Sequence, residues 1–456
     1  MRSIHEKGTA VKQISLLFSL AFLLSVPFAV IHTGERDVLS AFMRILFSPC
    51  PLVTDYYRLG SLPATFLNAG LCGLACTALF FLLDDGQLIG SNWAGYFLVI
   101  AHCFYGLNLL NMWPPVLGIF VYCKFKKLHF RNHLDIAMFS TAFGPFISEL
   151  LFRYPIQFNI PFSFGSYTIN LYGIFTSLLL GLFLGFTIPA MLPGAKILHK
   201  GFNLYNAGLA FGLLGFMIFS FLYRSFGLRS VEAVFRENIA YDQYRNGYFL
   251  FCNSFFIVMF LICILIGFFL NGRSFKGYGK LLSSDKLGID YIIAYNDSLC
   301  WINIGLYGLM ILLYLDAIIL ITDGAGWTGA TCGVTLAAMS FAAAGQNPKN
   351  VLPIIIGYII VFVSEIYICT VLNIPLVWSL STQSYINGFA FATGLCPYSW
   401  YFGPLAGVLA GVINAVLCTA TSQLHGGLVL YNGGLTAGLT ALILTPILVL
   451  YWTKKE

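Results

Sequence analysis

Long apolar runs alternate with short polar segments along the whole chain. A helix needs about 20 predominantly apolar residues to cross the hydrocarbon core of a bilayer, and several runs have that length. The pattern therefore predicts a multi-pass bundle of transmembrane helices. The first predicted spans cover about 14–31, 62–83, 134–152, 169–191 and 203–223, and a new series begins at 248–270.

Two further apolar stretches, 92–122 and 331–362, are each interrupted by an Asn-x-x-Asn-x-x-Pro motif. The motifs are Asn108, Asn111 and Pro114, and Asn347, Asn350 and Pro353. Asn is a good helix N-cap, and Pro fits a first helical turn. Each stretch is therefore predicted to form a pair of short helices, and the pattern leaves open whether the pair re-enters on one side or crosses.

Several motifs occur twice, so the chain is predicted to be a duplication. The motif His-x-Gly-x-x-x-Tyr-Asn-x-Gly-Leu-x-x-Gly covers residues 199–212 and returns at 425–438, and Asn-x-Gly-Leu-x-Gly covers 68–73 and returns at 303–308. The predicted organisation is a first membrane repeat over 1–224, an inter-repeat loop over 225–247 and a second repeat over 248–456.

The distribution of lysine predicts that the second repeat is inverted. If the N-terminus is cytoplasmic and each repeat crosses five times, the loops predicted cytoplasmic hold 15 of the 24 Lys and Arg residues, including 12 of the 13 lysines. Cytoplasmic loops are enriched in these residues. The predicted fold is an all-α integral membrane protein with two inverted-topology repeats, each of about five transmembrane helices plus a re-entrant or broken pair. Both termini are expected on the cytoplasmic side of the plasma membrane.

The composition agrees with a membrane protein and indicates which classes of partner it binds. Charged residues make up 9% of the chain and apolar residues 59%, whereas soluble domains carry about 25% charged residues. The predicted partners are the lipid bilayer and a small-molecule solute rather than nucleic acid, and self-association stays open. The 12 cysteines match no zinc or disulfide pattern, so no metal and no cofactor is predicted.

The Asn/Pro breaks are the first candidates for a solute site. Half-helix ends at membrane depth offer free N–H and C=O groups, and such breaks often mark the binding site of a transporter. Asn108, Asn111, Asn347 and Asn350 are therefore candidate solute-binding residues. The alternative is a proline kink in which each Asn bonds to neighbouring helices.

The repeated motifs add further candidates. Small residues spaced four apart favour close helix packing, which explains the glycines, but a polar amide in lipid is costly unless paired. The remaining candidate binding residues are therefore Tyr205, Asn206, Tyr431, Asn432, Asn68 and Asn303. They either cap helices or face a solute. A pore role for His199 and His425 is less favoured because their loops are predicted on opposite faces.

Three acidic residues are weighed for ion or proton coupling, with Asp316 and Glu149 as the candidates. Asp316 lies inside a predicted span, where a carboxylate indicates function by default, and the alternative is a neutral or paired structural acid. Glu149 and Glu365 lie nearer predicted span ends and either assist coupling or reach the membrane interface.

The repeated motifs resemble those of domain-of-unknown-function family 1576, an uncharacterised family of bacterial multi-pass membrane proteins. The resemblance covers nearly the full length and implies no particular activity. A weaker likeness is to urea transporters, which also have two inverted halves of five spans and a re-entrant pair. Residues 431–438 have one residue more than the short Y/F-N-x-x-L-x-G string of that family, so the likeness implies the architecture rather than urea as the solute.

The sequence thus favours a transporter or channel-like facilitator for a small polar solute, with its site between inverted repeats. The alternative is a proton- or cation-coupled secondary transporter that uses Asp316. A membrane-embedded enzyme is less favoured because no His-Glu-x-x-His or Gly-x-Ser-x-Gly motif is present.

Overall fold

The structure is a computed structural model that describes residues 9–52, 54–83, 86, 88–154, 161–165, 167–228, 248–284 and 286–452. Both chain ends and most of the predicted loop 225–247 lie outside the described residues. Within the described ranges, nine helices are long and apolar enough to cross a membrane. The prediction of a multi-pass helical membrane protein is confirmed.

The first half contains ten helices and a short hairpin in its described part. Its helices are α1 Thr9–Thr33, α2 Val38–Leu46, α3 Tyr56–Leu59, α4 Leu62–Leu83, α5 Gly90–His102, α6 Trp113–Lys126, α7 Leu134–Ser140, α8 Gly144–Phe152, α9 Leu171–Leu198 and α10 Asn206–Leu222. The antiparallel strands β1 Pro161–Phe164 and β2 Tyr167–Asn170 precede α9.

The second half repeats the same helix order. Its helices are α11 Phe249–Leu270, α12 Tyr278–Leu282, α13 Tyr291–Ala294, α14 Asp297–Ile321, α15 Gly329–Ala338, α16 Pro348–Leu372, α17 Gln383–Ala392, α18 Pro397–Tyr401, α19 Pro404–Cys418 and α20 Asn432–Tyr451. A 3₁₀ turn joins α7 to α8 at Thr141–Phe143, and another joins α17 to α18 at Thr393–Leu395. Proline follows each turn, so both broken helices resume in the same way.

Equivalent helices also pack in equivalent pairs. Helix α1 packs on α4 as α11 packs on α14, and α6 packs on α9 as α16 packs on α19. Glycines permit these crossings: a Cβ on Gly118 would lie 2.8 Å from the Cα of Gly185, and one on Gly357 would lie 2.7 Å from the Cα of Gly411. Small residues allow such close packing between membrane helices.

The two halves meet along two helix pairs. The short helices α5 and α15 pack against each other, and so do α10 and α20. A Cβ on Gly208 would lie 2.3 Å from the carbonyl carbon of Gly434, so α10 and α20 touch backbone to backbone at these glycines. The repeated Gly motif therefore forms the crossing between the halves.

Candidate functional site

A cavity of about 440 Å³ lies where the halves meet. Its walls come from α5, α7, α9 and the start of α10 in the first half, and from four residues of the second half. The second-half residues are Phe341, Phe391, Tyr431 and Gly434. We call this cavity the central pocket.

Aromatic rings form the floor of the central pocket. The ring centroid of Tyr205 lies 4.8 Å from that of Phe341 and 4.9 Å from that of Phe391. The ring of Tyr431 lies 6.3 Å from Phe139 and 6.2 Å from Phe391. The Tyr205 hydroxyl donates a 2.7 Å hydrogen bond to the carbonyl of Ala337. The floor is therefore apolar, held by both halves, and its Tyr205 ring is fixed in position.

The walls carry a few polar groups. Ser91, Asp135, Lys196 and Asn206 line the pocket, and Lys196 is exposed while Asp135 is half-buried. One Asp135 oxygen accepts the amide of Ile136 at 2.8 Å. The buried Oδ1 of Asn206 has no hydrogen-bond partner within the described residues. An apolar pocket with few polar groups is typical of a small-molecule site.

The matching place in the second half is filled. There α17 packs directly on α20, and a Cβ on Gly433 would lie 2.5 Å from the ring of Phe391 and 2.9 Å from the carbonyl oxygen of Asn387. In the first half, the central pocket lies between the equivalent helices α7 and α10. The halves therefore share a fold but differ in the space between these two helices.

The structure places three predicted residues at the central pocket: Tyr205, Asn206 and Tyr431. The fourth member of that set, Asn432, instead accepts a hydrogen bond at 3.1 Å from the ring of His425, if that nitrogen carries the proton. The lining of the pocket includes neither His199 nor His425.

The four Asn residues of the breaks form two reciprocal pairs, which close the turn before α6 in the first half and cap α16 in the second. Asn108 Oδ1 accepts the amide of Asn111 at 3.0 Å, and Asn111 Oδ1 accepts the amide of Asn108 at 2.9 Å. The same reciprocal pair joins Asn347 and Asn350, at 3.1 and 3.0 Å. In the second half these bonds satisfy amides that a helix start leaves unpaired.

The side-chain NH2 groups of the same residues are also engaged with the protein. Asn111 donates to the carbonyl of Gly106, and Asn350 donates to that of Gly345, at 3.0 and 2.7 Å. Asn108 donates to the carbonyl of Ile45 and Asn347 to the Tyr291 hydroxyl. The geometry accounts for all four as structural residues that hold the breaks, and none lines the central pocket.

Asn68 and Asn303 hold the turns that follow the short central helices. The Asn68 NH2 donates to the carbonyls of Cys103 and Leu107 at 2.9 and 3.0 Å. The Asn303 NH2 makes the equivalent bonds to Ala342 and Gln346, at 2.7 and 2.8 Å. These four carbonyls follow the ends of α5 and α15, so the two amides hold the turns that come after these helices.

The acidic candidates also have protein partners. Asp316 Oδ1 accepts hydrogen bonds from the Asn253 amide and the Trp327 indole, at 3.1 and 2.8 Å. Glu149 is buried and pairs with Arg153, whose Nε lies 3.0 Å from Oε2, and it accepts a hydrogen bond from Tyr223. Neither acid lines the central pocket.

Sequence reasoning missed Asp135, Phe341 and Phe391. Asp135 could have been found from the sequence, because it lies inside the predicted span 134–152, where a carboxylate indicates a functional residue. The two phenylalanines carry no signal in a chain with 43 phenylalanines, because only the packing of the halves brings them to one place.

One protein family matches the chain over both halves. Its description is "Protein of unknown function (DUF1576)", and it matches residues 34–224 and 270–450. These segments include every candidate binding and coupling residue predicted from the sequence. No curated protein and no solved structure matches the chain.

Proposed function

The chain belongs to the family described as protein of unknown function (DUF1576), and we propose that it is a membrane transporter. In this proposal, a small polar solute binds in the central pocket and passes between the two halves. The observation that carries the proposal is the difference between the halves: α7 and α10 enclose a cavity, whereas the equivalent α17 and α20 are packed together.

The proposal includes inverted repeats. In that arrangement α7 with α10 and α17 with α20 face opposite sides of the membrane, so one side of the pathway is open and the other is closed. If the halves exchange conformations, the opening moves to the other side. Rocking of one repeat against the other is a common form of alternating access. The asymmetry thus favours a carrier over a continuously open channel.

Two further features support inversion. The lysine distribution places equivalent loops on opposite sides. Helices α5 and α15 have 13 and 10 residues, too few to cross a core of about 30 Å, and we infer that each enters from its own side and turns back. Ten crossings then place both termini on the same side, which the lysines assign to the cytoplasm.

The chemistry of the central pocket indicates the kind of solute. Rings of Phe and Tyr form its floor, while Ser91, Asn206 and Asp135 offer hydrogen-bonding groups on its walls. A volume of about 440 Å³ suits a small molecule. We therefore propose a small polar solute with an apolar part that rests on the aromatic floor.

Coupling through Asp316 is not needed by this proposal. Its Oδ1 bonds to Asn253 and Trp327, away from the central pocket. An uncoupled facilitator is the simpler form that the geometry supports.

Uptake into liposomes tests the proposal. Purified full-length protein is reconstituted, and swelling is followed by light scattering against a panel of small neutral solutes such as urea, acetamide and glycerol. We expect at least one solute to enter faster than into protein-free liposomes, and failure of the whole panel, extended to amino acids and sugars, would contradict transport. Ile136→Trp, which places a larger side chain on the wall of the central pocket and so reduces its volume, is expected to abolish uptake. The matched control is Ile321→Trp, because Ile321 is 80% exposed on the outside of the bundle.

A further inference from the structure

Four buried polar side chains lie together just behind the floor of the central pocket. They are His102, Tyr105, Asn387 and Tyr431. Both ring nitrogens of His102, the two hydroxyls and both amide atoms of Asn387 complete no hydrogen bond within the described residues, although the His102 ring lies close to the backbone of Leu98 and Leu430. Exposed fractions are 0% for His102 and Tyr105, 4% for Asn387 and 2% for Tyr431. Buried polar groups are almost always paired, so several unpaired groups in one place require an explanation.

These side chains form one cluster. The ring centroid of His102 lies 5.4 Å from that of Tyr105 and 5.3 Å from that of Tyr431. The amide of Asn387 approaches the Tyr105 hydroxyl without completing a hydrogen bond. His102 is the last residue of α5 and Tyr105 lies in the turn after it, while Asn387 and Tyr431 come from the second half. We call this cluster the polar centre.

Comparison of the halves shows that the fold does not need the ring nitrogens of His102. The offset that relates Gly106 to Gly345 relates His102 to Phe341. Phe341 packs on Tyr205 at 4.8 Å, as His102 packs on Tyr431 at 5.3 Å. A phenyl ring therefore fills the same structural position, so ring packing at this position does not require the nitrogens of His102.

The polar centre continues the central pocket towards the closed side. Tyr431 and Phe391 line the pocket, and His102 contacts both rings. One helical turn before Asn387 on α17, Gln383 has a buried Oε1 without a partner in the described chain. Its NH2 donates to Thr328 at 3.1 Å, beside the start of α15. Polar groups thus run from the pocket floor through the polar centre to the closed end.

We propose that the polar centre is a second solute-binding position, which holds the polar group of the solute as it moves from the central pocket towards the closed side. This rests on the proposed transport function. Neutral imidazole, phenol and amide groups each both donate and accept hydrogen bonds. The position therefore takes a neutral group that also does both, such as a carboxamide or a hydroxyl. A charged group would be costly there because no opposite charge belongs to the polar centre.

The substitution His102→Phe tests the proposal, since it installs the side chain found at the equivalent position. We expect acetamide uptake into liposomes to fall roughly tenfold, the effect of about one lost hydrogen bond to the moving solute. The melting temperature is expected to stay unchanged or to rise. The control is His199→Phe, which removes another fully buried imidazole outside the lining of the central pocket and is expected to keep wild-type uptake. Asn387→Leu gives a second variant if His102→Phe does not fold.

Binding measured in detergent separates this proposal from transport itself. Acetamide at high concentration is expected to raise the melting temperature of the full-length wild-type protein and to raise that of His102→Phe less. If the wild type transports acetamide, and His102→Phe and Asn387→Leu match it in uptake and in acetamide-dependent melting, the polar centre is not a binding position. The transport function still stands in that case. If wild type transports nothing but shows acetamide stabilisation that His102→Phe loses, transport is overturned and the binding position stands.

Discussion

The backbone amide of Gly90, the first residue of α5, donates a 2.7 Å hydrogen bond to Oδ2 of Asp290 in the other half. The reciprocal bond joins the amide of Gly329, at the start of α15, to Oδ1 of Asp55 at 2.9 Å. Each half thus holds the start of the short central helix of the other. Carboxylates suit this place because helix starts carry partial positive charge and unpaired N–H groups.

These exchanged caps predict a specific loss of stability. Asp55→Ala and Asp290→Ala are each expected to destabilise the protein by about 1–3 kcal/mol, because the change removes caps from two helices and leaves a buried N–H unpaired. The measurement is thermal melting in detergent, with Asp37→Ala as control. Asp37 caps α2 at an exposed site within one half, through a 3.4 Å bond to Ser40, and its loss is expected to cost less. Equal effects in all three variants would argue against a special role for the exchanged caps.

Asp55 also predicts a dependence of stability on pH. Burial raises the pKa of this carboxyl from its ordinary 3.8 to about 6, against the opposing effect of the bonds from Tyr57 and Gly329. Between about pH 4 and pH 6, the folded protein therefore holds a proton that the unfolded chain has lost. The contribution of Asp55 to the free energy of unfolding falls as pH rises through this window. Thermal melting of the wild type and of Asp55→Asn at pH 4.5 and pH 7 measures this contribution. The melting temperature of the wild type relative to that of Asp55→Asn is expected to be lower at pH 7 than at pH 4.5. A constant difference would contradict the raised pKa.

The contact between Gly208 and Gly434 predicts that even a methyl group is harmful there. Gly208→Ala would place its Cβ 2.3 Å from the backbone of Gly434, so α10 and α20 must separate, and we expect a loss of about 1–3 kcal/mol. Gly194→Ala in α9 is the control, since no atom lies within 4 Å of its Cβ position. Alanine is favoured over glycine inside a helix, so this control is expected to be neutral or stabilising. Similar melting temperatures for the two variants would show that the crossing is less tight.

Periodic features of the sequence predicted a large part of this fold. Apolar runs located the spans, and repeated motifs located equivalent helices, because length and composition are local properties. The Asn-x-x-Asn-x-x-Pro motif correctly predicted a helix start at Asn347, where the structure has a reciprocal cap.

The candidate site was harder to predict because it depends on contacts between distant segments. The local sequence does not show that the Asn111 NH2 group donates its hydrogen bonds to Gly106 and Ser148. It also does not show that Asp135 and Tyr431 line one cavity. Repeated motifs also hide the difference between the halves, because Tyr205 and Tyr431 read alike in sequence. The difference in packing between the two halves becomes visible only when the helices are placed.

Asp316 provides a test between a facilitator and a coupled carrier. Because its Oδ1 bonds to Asn253 and Trp327 outside the central pocket, Asp316→Asn is expected to leave solute uptake unchanged between pH 5 and pH 8. The variant and the wild type are compared in the same liposomes, with Asp135→Asn as the contrasting change inside the pocket. Asp135→Asn is expected to lower uptake or alter its pH dependence. Loss of pH dependence in Asp316→Asn alone would instead favour coupling through Asp316.

Accessibility of single cysteines tests whether one side is open and the other closed. Ser91 lines the central pocket, while Ala330, its equivalent at the same offset as Gly90 and Gly329, is 1% exposed. Both variants are made in a Cys369→Ser background, because Cys369 is the only one of the 12 described cysteines that is not buried. Ser91→Cys is expected to react with a water-soluble thiol reagent much faster than Ala330→Cys. In oriented vesicles, the faster reaction is expected from the cytoplasmic side. Transported solute should change the ratio of the two rates, because a carrier must open the second side to release its load. Equal rates at both positions, with or without solute, would point to a channel open at both ends and would contradict the carrier.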